Sequence, residues 1–331
     1  MSSWNHSTQF CQWFGVTCSL RHQRVVSLNL LGNELVGTIS PSVGNLSFHK
    51  VLDLSSNNFH GEIPQEFGHL PRLGYLNLSD NSLGGEIPLN ISKCLNLLSL
   101  ELSYNALVGS IPFQLTSLKK LIVLGLSANN QTGTIPPWVG NYSSLTDLSL
   151  ARNSLRGSLP NELGQLSQLQ FFQLADNMLS GVIPPPLYNI TSLYYIAVAQ
   201  NQLQGSLPSN LCLTLPNLLV FYIGGNNFHG PIPNSLSNAS KIQFLDFIRN
   251  GFTGSVPNNL GSLQSLFRLK FMENKLGYGG AEDLSFITSL SNCTALEVLG
   301  LDGNSLGGNL PESIGKSIDS PPILNIREEF F

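Results

Sequence analysis

Apolar and polar residues alternate along this chain with a fixed long period. Asn33, Asn57, Asn81, Asn105, Asn129, Asn153, Asn177 and Asn201 stand 24 residues apart, and Asn226, Asn250, Asn274 and Asn304 follow at intervals of 25, 24, 24 and 30. Five residues before each asparagine the position is apolar (Leu28, Leu52, Leu76, later Phe172, Ile196, Phe221 and Leu299). Three residues before it is apolar again (Leu30, Leu54, Leu78, later Val198, Ile223 and Leu301). A separation of two puts both side chains on one face of a short strand. The residues six, four and two before each asparagine then face outward. Two residues after it runs a third apolar column (Leu35, Phe59, Leu83), broken only by Gln131.

One such repeat cannot bury its apolar edge alone. Stacking the repeats makes a continuous core with a parallel sheet along the inner curve. The pattern predicts an α/β solenoid of twelve leucine-rich repeats, parallel β-sheet on the concave face and little regular helix. Each asparagine is expected to turn its amide inward and bond backbone groups where the strand ends.

Most repeats continue as Gly-x-Ile-Pro, as in Gly61-Glu62-Ile63-Pro64, Gly85-Glu86-Ile87-Pro88 and Gly133-Thr134-Ile135-Pro136. Glycine permits backbone shapes that other residues resist, and proline fixes φ and removes a donor. The motif resembles the plant-specific leucine-rich repeat, which implies a twisted superhelix. Cys11-Gln12-Trp13-Phe14-Gly15-Val16-Thr17-Cys18 is similar to the amino-terminal cap of plant receptor kinases. The expanded segment from Asn274 to Cys293, with Glu282-Asp283-Leu284-Ser285-Phe286 and Ser291-Asn292-Cys293, narrows the likeness further. It resembles the receptor-kinase subfamily of the bacterial elongation-factor-Tu receptor and the rice bacterial-blight resistance kinase.

That resemblance implies a partial cap at residues 1–21, repeats over 22–311 and an off-pattern tail at 312–331. It implies a region outside the cell whose parent sits at the plasma membrane. The expected partner is a microbial protein or peptide, with a co-receptor engaging repeats beyond this sequence. Met1 to Asn5 reads as the interior of a cap, and the pattern fails after Lys316, so the sequence reads as a truncated ectodomain whose last repeats are expected to fray or associate. No secretory signal opens it, and no apolar run reaches the ~20 residues of a membrane span. Neither the His-Arg-Asp nor the Asp-Phe-Gly motif of a kinase is present, so the chain is expected to bind rather than catalyse.

The cap resemblance also implies a disulfide between Cys11 and Cys18, contributing about 2.5 kcal/mol by loop entropy; two free thiols are the alternative. Cys94 and Cys293 stand eleven residues before their asparagines, where other repeats have Leu46, Leu70 and Leu118, and read as small buried hydrophobes. Cys212 falls in a turn and is ambiguous. No cysteine pair has metal-ligand spacing, and no cofactor is implied.

Charged residues are 11% of the chain, against roughly 25% in average globular proteins. The net charge of −4 implies no basic stripe and no nucleic-acid partner. Nine Asn-x-Ser/Thr sequons mark candidate glycosylation sites at Asn5, Asn45, Asn77, Asn90, Asn130, Asn141, Asn189, Asn238 and Asn292. An asparagine- and serine-rich repeat also makes sequons by chance. Gly303-Asn304-Ser305-Leu306-Gly307 matches a hydrolase elbow only formally, since Asn304 is a repeat asparagine and Leu306 a core column. His49 occupies a leucine column and reads as a packing defect.

The outward positions hold the candidate site. Early repeats offer small or polar residues: Ser27, Asn29, Asp53, Ser55, Ser99 and Ser103. Repeats seven to eleven present Phe171, Gln173, Tyr195, Tyr222, Phe244, Asp246, Arg268 and Lys270. Aromatics and arginine dominate interface energies, so ligand binding is expected there. Arg268-Leu269-Lys270 is similar to the Arg-x-Arg pair with which several plant peptide receptors hold a peptide carboxylate; lysine in second place loses the fork geometry. A secreted inhibitor of a cell-wall-degrading enzyme, or a non-signalling product of a broken gene, are the competing readings.

Overall fold

The computed structural model describes residues 3–5 and 7–311; the expectations for the tail at 312–331 lie outside the described residues. The chain divides into two compact units, 1–156 and 157–331. In the first, the strands Val25–Asn29, Val51–Asp53, Tyr75–Asn77, Ser99–Glu101, Val123–Gly125 and Asp147–Ser149 pair in parallel, one repeat against the next. Val16–Cys18 joins its edge antiparallel, and the Cys11–Cys18 disulfide is formed, with the Cα atoms 5.5 Å apart. In the second unit, Phe171–Gln173, Tyr195–Ala197, Val220–Tyr222, Phe244–Asp246, Arg268–Lys270 and Val298–Gly300 form the same ladder.

The strands are short because each needs only one inward residue between two outward ones. That central residue, Leu52, Leu76, Leu100, Leu124 or Leu148 in the first unit, is fully buried, as are Phe172, Phe221, Leu245 and Leu269 in the second. Cys94, Cys212 and Cys293 are all buried. The thiols of Cys94 and Cys293 donate to Phe67 O and Leu260 O at 3.2 and 3.4 Å, so each fills a leucine position without stranding a polar group. Leu306 is only half-buried, less than its column implied.

The Gly-x-Ile-Pro segments make further strands that the column pattern did not predict. Val36–Thr38, Asn58–Glu62 and Ser82–Gly84 pair in parallel, as do Met178–Val182, Gln202–Gly205, Asn227–Gly230 and Gly251–Gly254. Gly61 takes φ +79° at the end of such a strand, in the left-handed region, and turns the chain towards Ile63 and Pro64. Pro64 then leads directly into the 3-10 turn Gln65–His69, where a missing N–H costs nothing. Regular α-helix is confined among the described residues to Leu211–Thr214 and Phe286–Leu290.

The asparagines behave as expected. Asn129 Nδ2 donates to Leu102 O, Leu126 O and Ser127 O at 3.0, 3.1 and 3.3 Å, and its Oδ1 accepts from Leu107 N at 2.9 Å. One amide thus stitches its own strand end to the preceding repeat. Asn57, Asn105, Asn250 and Asn274 repeat the same set of bonds. Gln131, the exception in the third column, is buried and donates to Val108 O at 3.0 Å.

His49 is wholly buried, and neither ring nitrogen has a hydrogen-bond partner. Burial holds its pKa below the ordinary value of 6.5. The unfolded chain therefore takes up the proton first as pH falls, and stability declines below about pH 6.5. His49→Leu should raise stability by about 1–2 kcal/mol at pH 7 and widen that margin at pH 5.5. Urea unfolding at the two pH values checks this; a variant less stable than the parent at both would give the imidazole a structural role.

In the expanded repeat, Asp283 Oδ2 accepts from Tyr278 N and Gly280 N at 2.9 Å and from Gly307 N at 3.1 Å. These backbone donors, Tyr278 N foremost, lower its pKa. Asp283 of the Glu-Asp-Leu-Ser-Phe signature thus ties the insertion to the turn at Gly307.

Candidate functional site

On the outward face of the second unit's sheet, two registers run side by side. One carries Phe171, Tyr195, Val220, Phe244 and Arg268; the other carries Gln173, Ala197, Tyr222, Asp246 and Lys270. All eight candidate residues are half-buried rather than freely exposed. The rings of Phe171 and Tyr195 stack at 4.3 Å, and Tyr222 meets Tyr195 edge-on at 6.3 Å. The strip then breaks. Val220 occupies the register between Tyr195 and Phe244, and Phe244 packs against Phe267 at 5.7 Å instead. The expected single strip is therefore a three-ring cluster and a separate pair. Phe267 was missed because it stands seven residues before its asparagine, just outside the strand.

Asp246 occupies room left by Gly224, where a Cβ would come within 2.8 Å of its Oδ1, and that oxygen accepts from Ile248 N at 3.1 Å. Burial raises the Asp246 pKa, while the Ile248 bond and the charges of Lys270 and Arg268 oppose the rise. Burial likewise raises Tyr222 and Tyr195. Two buried polar atoms on this face lack partners, Gln173 Oε1 and Arg268 Nε. Buried polar atoms without partners are costly.

The first unit differs. Its outward polar groups bond each other: Asp53 Oδ1 accepts from Ser55 Oγ at 2.5 Å, Asn77 Oδ1 from Ser79 Oγ at 2.7 Å, and Ser127 pairs with Ser149 at 2.7 Å. Little is left over for a ligand. Glu101 lies over Gly125, whose Cβ would come within 1.9 Å of its Oε2. Burial pushes the Glu101 carboxyl up to about 7.

Five sequons, Asn45, Asn141, Asn189, Asn238 and Asn292, fall at the same place in the repeat, twelve residues before the asparagine, and are exposed. Asn5 and Asn130 are exposed as well, and Asn90 is half-buried. Asn77 is half-buried on the outward sheet face, its Nδ2 donating to Ser55 Oγ at 3.2 Å and Tyr75 OH at 3.3 Å.

Charge is also more segregated than a net value of −4 implies. Seven of the first unit's lysines and arginines lie on one edge of it, contrary to the absence of a basic stripe read from composition. No helix among the described residues is long and apolar enough to cross a membrane.

Stacked short strands, an asparagine ladder and a second strand set at Gly-x-Ile-Pro define a plant-type leucine-rich-repeat protein. Family comparison agrees: residues 24–181 match a leucine-rich repeat region, 217–239 and 295–317 match leucine-rich repeats, and 1–19 match a leucine-rich repeat N-terminal domain. Within that class the chain is similar to the leucine-rich-repeat regions of plant receptor-like serine/threonine kinases. It is 60% identical over 55 residues to the Arabidopsis thaliana LRR receptor-like serine/threonine-protein kinase EFR, covering 17% of this chain and 5% of that protein. It is 51% identical over 61 residues to the rice receptor kinase-like protein Xa21, covering 17% and 6%. The matched segments are thus a small part of those relatives. Among solved structures, the plant peptide hormone receptor RGFR1 in complex with RGF2 is similar with a TM-score of 0.68 and 29% identity, over 85% of this chain and 52% of that one. A plant ice-binding protein is similar with a TM-score of 0.76 and 29% identity, over 83% and 89%.

Proposed function

We propose that this chain is the extracellular ligand-recognition part of a plant receptor-like kinase, and that it binds a peptide or protein segment on the outward sheet face of residues 171–270. One observation carries the reading: five consecutive strands place an aromatic cluster beside Arg268, Lys270 and Asp246, with polar atoms left unpaired. The rings supply apolar contact area, and the two cations suit a carboxylate at one end of the ligand. The similarity to a receptor solved in complex with its peptide hormone supports a peptide as the kind of ligand. A microbial origin of the ligand rests only on the resemblance of the expanded segment Asn274 to Cys293 to the subfamily of the elongation-factor-Tu receptor. The disulfide and the five sequons at one repeat position fit an extracellular, glycosylated chain.

The test is to pan a displayed random-peptide library on the intact chain and titrate the enriched peptides. Charge reversal at both cations (Arg268→Glu with Lys270→Glu) should weaken them at least about tenfold, slow association and flatten the salt dependence. Enriched peptides indifferent to that variant and to Tyr222→Ala would place binding elsewhere.

A further inference from the structure

The seven cations of the first unit's edge stand seven to twelve residues before the asparagine: Lys50, Arg72, Lys119 and Lys120 between a 3-10 turn and the next sheet strand, Lys93 at the end of such a turn, and Arg21 and Arg24 in the turn between Val16–Cys18 and Val25–Asn29. Arg24, Arg72 and Lys120 share one column, in repeats one, three and five. Lys50 and Lys93 fill the intervening repeats, and Arg21 and Lys119 reinforce the two ends. All seven are exposed. None of the eight acidic residues of the first 156 falls in this stretch of any repeat. Among the described residues these cations make no ion pair; Lys120 donates to Asn96 Oδ1 at 2.7 Å. The outward sheet face of the first unit pairs its polar groups with one another, whereas this edge holds uncompensated like charge across five repeats.

We propose that this edge docks a linear polyanion, namely an acidic polysaccharide bearing carboxylates along its length. The cations recur once per repeat along the stacking direction, over about 20 Å at roughly 4.8 Å per strand. A polymer lying along that direction meets a positive charge at every step, with no pocket needed. Such many-point contact gains its affinity from released counterions and from a focused positive field. A single-stranded nucleic acid needs aromatic faces for its bases. The aromatic ring of the stripe, Phe48, is flanked by Arg24 at 4.1 Å and Arg72 at 4.5 Å, from the repeats on either side, so its faces are already taken. The same sandwich holds two of the cations in place. None of these residues belongs to the candidate set within residues 171–270, and neither proposal depends on the other.

The experiment titrates the intact chain, freed of N-glycans because Asn45 lies within the stripe, with polygalacturonate of defined length at about 0.1 M salt. Fully methyl-esterified polymer, polyglutamate, oligodeoxythymidylate and anionic lipid vesicles serve as the comparisons. Polygalacturonate should bind and its ester should not. The variant K50Q/R72Q/K120Q should bind at least about tenfold more weakly, with a log–log salt slope lower by about 2–3. R268Q/K270Q should bind like the parent. Should the triple variant unfold, Arg72→Gln and Lys120→Gln singly should each lower the slope by about 1. Absence of binding, unchanged slopes in the variants, or equal affinity for polyglutamate, the oligonucleotide or vesicles would overturn the proposal.

Discussion

Asn129→Ala should destabilise the first unit by roughly 3–5 kcal/mol, more than any outward substitution. The amide satisfies Leu102 O, Leu126 O and Ser127 O with its nitrogen and Leu107 N with its oxygen, in a buried position. Each buried group left without a partner costs about 1–3 kcal/mol, and alanine strands several at once. Asn129→Asp should be no milder, because a carboxylate oxygen would replace the donor facing three carbonyl oxygens. Urea unfolding followed by circular dichroism checks both. A loss below about 1 kcal/mol for either would mean that water or a shifted backbone takes over the amide's role.

Leu245 and Tyr222 should separate stability from binding. Leu245 is fully buried in the strand Phe244–Asp246, and truncation to alanine should cost roughly 2–5 kcal/mol through lost burial and the cavity left behind. Tyr222 faces outward in the neighbouring strand, half-buried against Tyr195. Tyr222→Ala should cost stability only about 1 kcal/mol, the worth of a ring–ring contact. Its effect on library-selected peptides should be far larger, at least about tenfold in affinity. Equilibrium unfolding and peptide titration on the same two proteins give the comparison. Equal stability losses with equal binding losses would show that the aromatic cluster is a structural element.

The repeat columns made the fold legible because three constraints coincide in each repeat. Leu52 and Leu54 must face inward, Asn57 must bond the strand end, and Gly61 must turn the chain. The strands at Gly-x-Ile-Pro were not legible. Residues such as Asn58-Phe59-His60-Gly61-Glu62 pair through their backbones with only one apolar side chain, so the period-two signal is absent. The residue just before each asparagine gave no sign either. Ser56, Tyr104, Arg152 and Gln200 all adopt φ between 52° and 57°, imposed by the turn rather than chosen by propensity.

The site was legible as a set of outward residues and not as an arrangement. Sequence placed Phe171, Tyr195, Tyr222 and Phe244 on one face, and Val220, six residues before Asn226, already stood in the column between Tyr195 and Phe244; that it breaks the ring contacts was not drawn from the pattern. The register follows from strand pairing, but which rings touch depends on columns two residues apart and on Phe267 beside them. The edge stripe was hidden by averaging. Acids such as Asp53 and Glu86 cancel its charge in the sum while lying elsewhere in the repeat.

Side-chain oxidation by hydroxyl radicals, with and without a library-selected peptide, tests the central claim most directly. Bound peptide should protect Phe171, Tyr195, Tyr222 and Phe244 and leave Tyr75 and Tyr104 of the first unit as reactive as before. Protection of Tyr75 with undiminished oxidation of Tyr195 and Tyr222 would contradict the placement of the site.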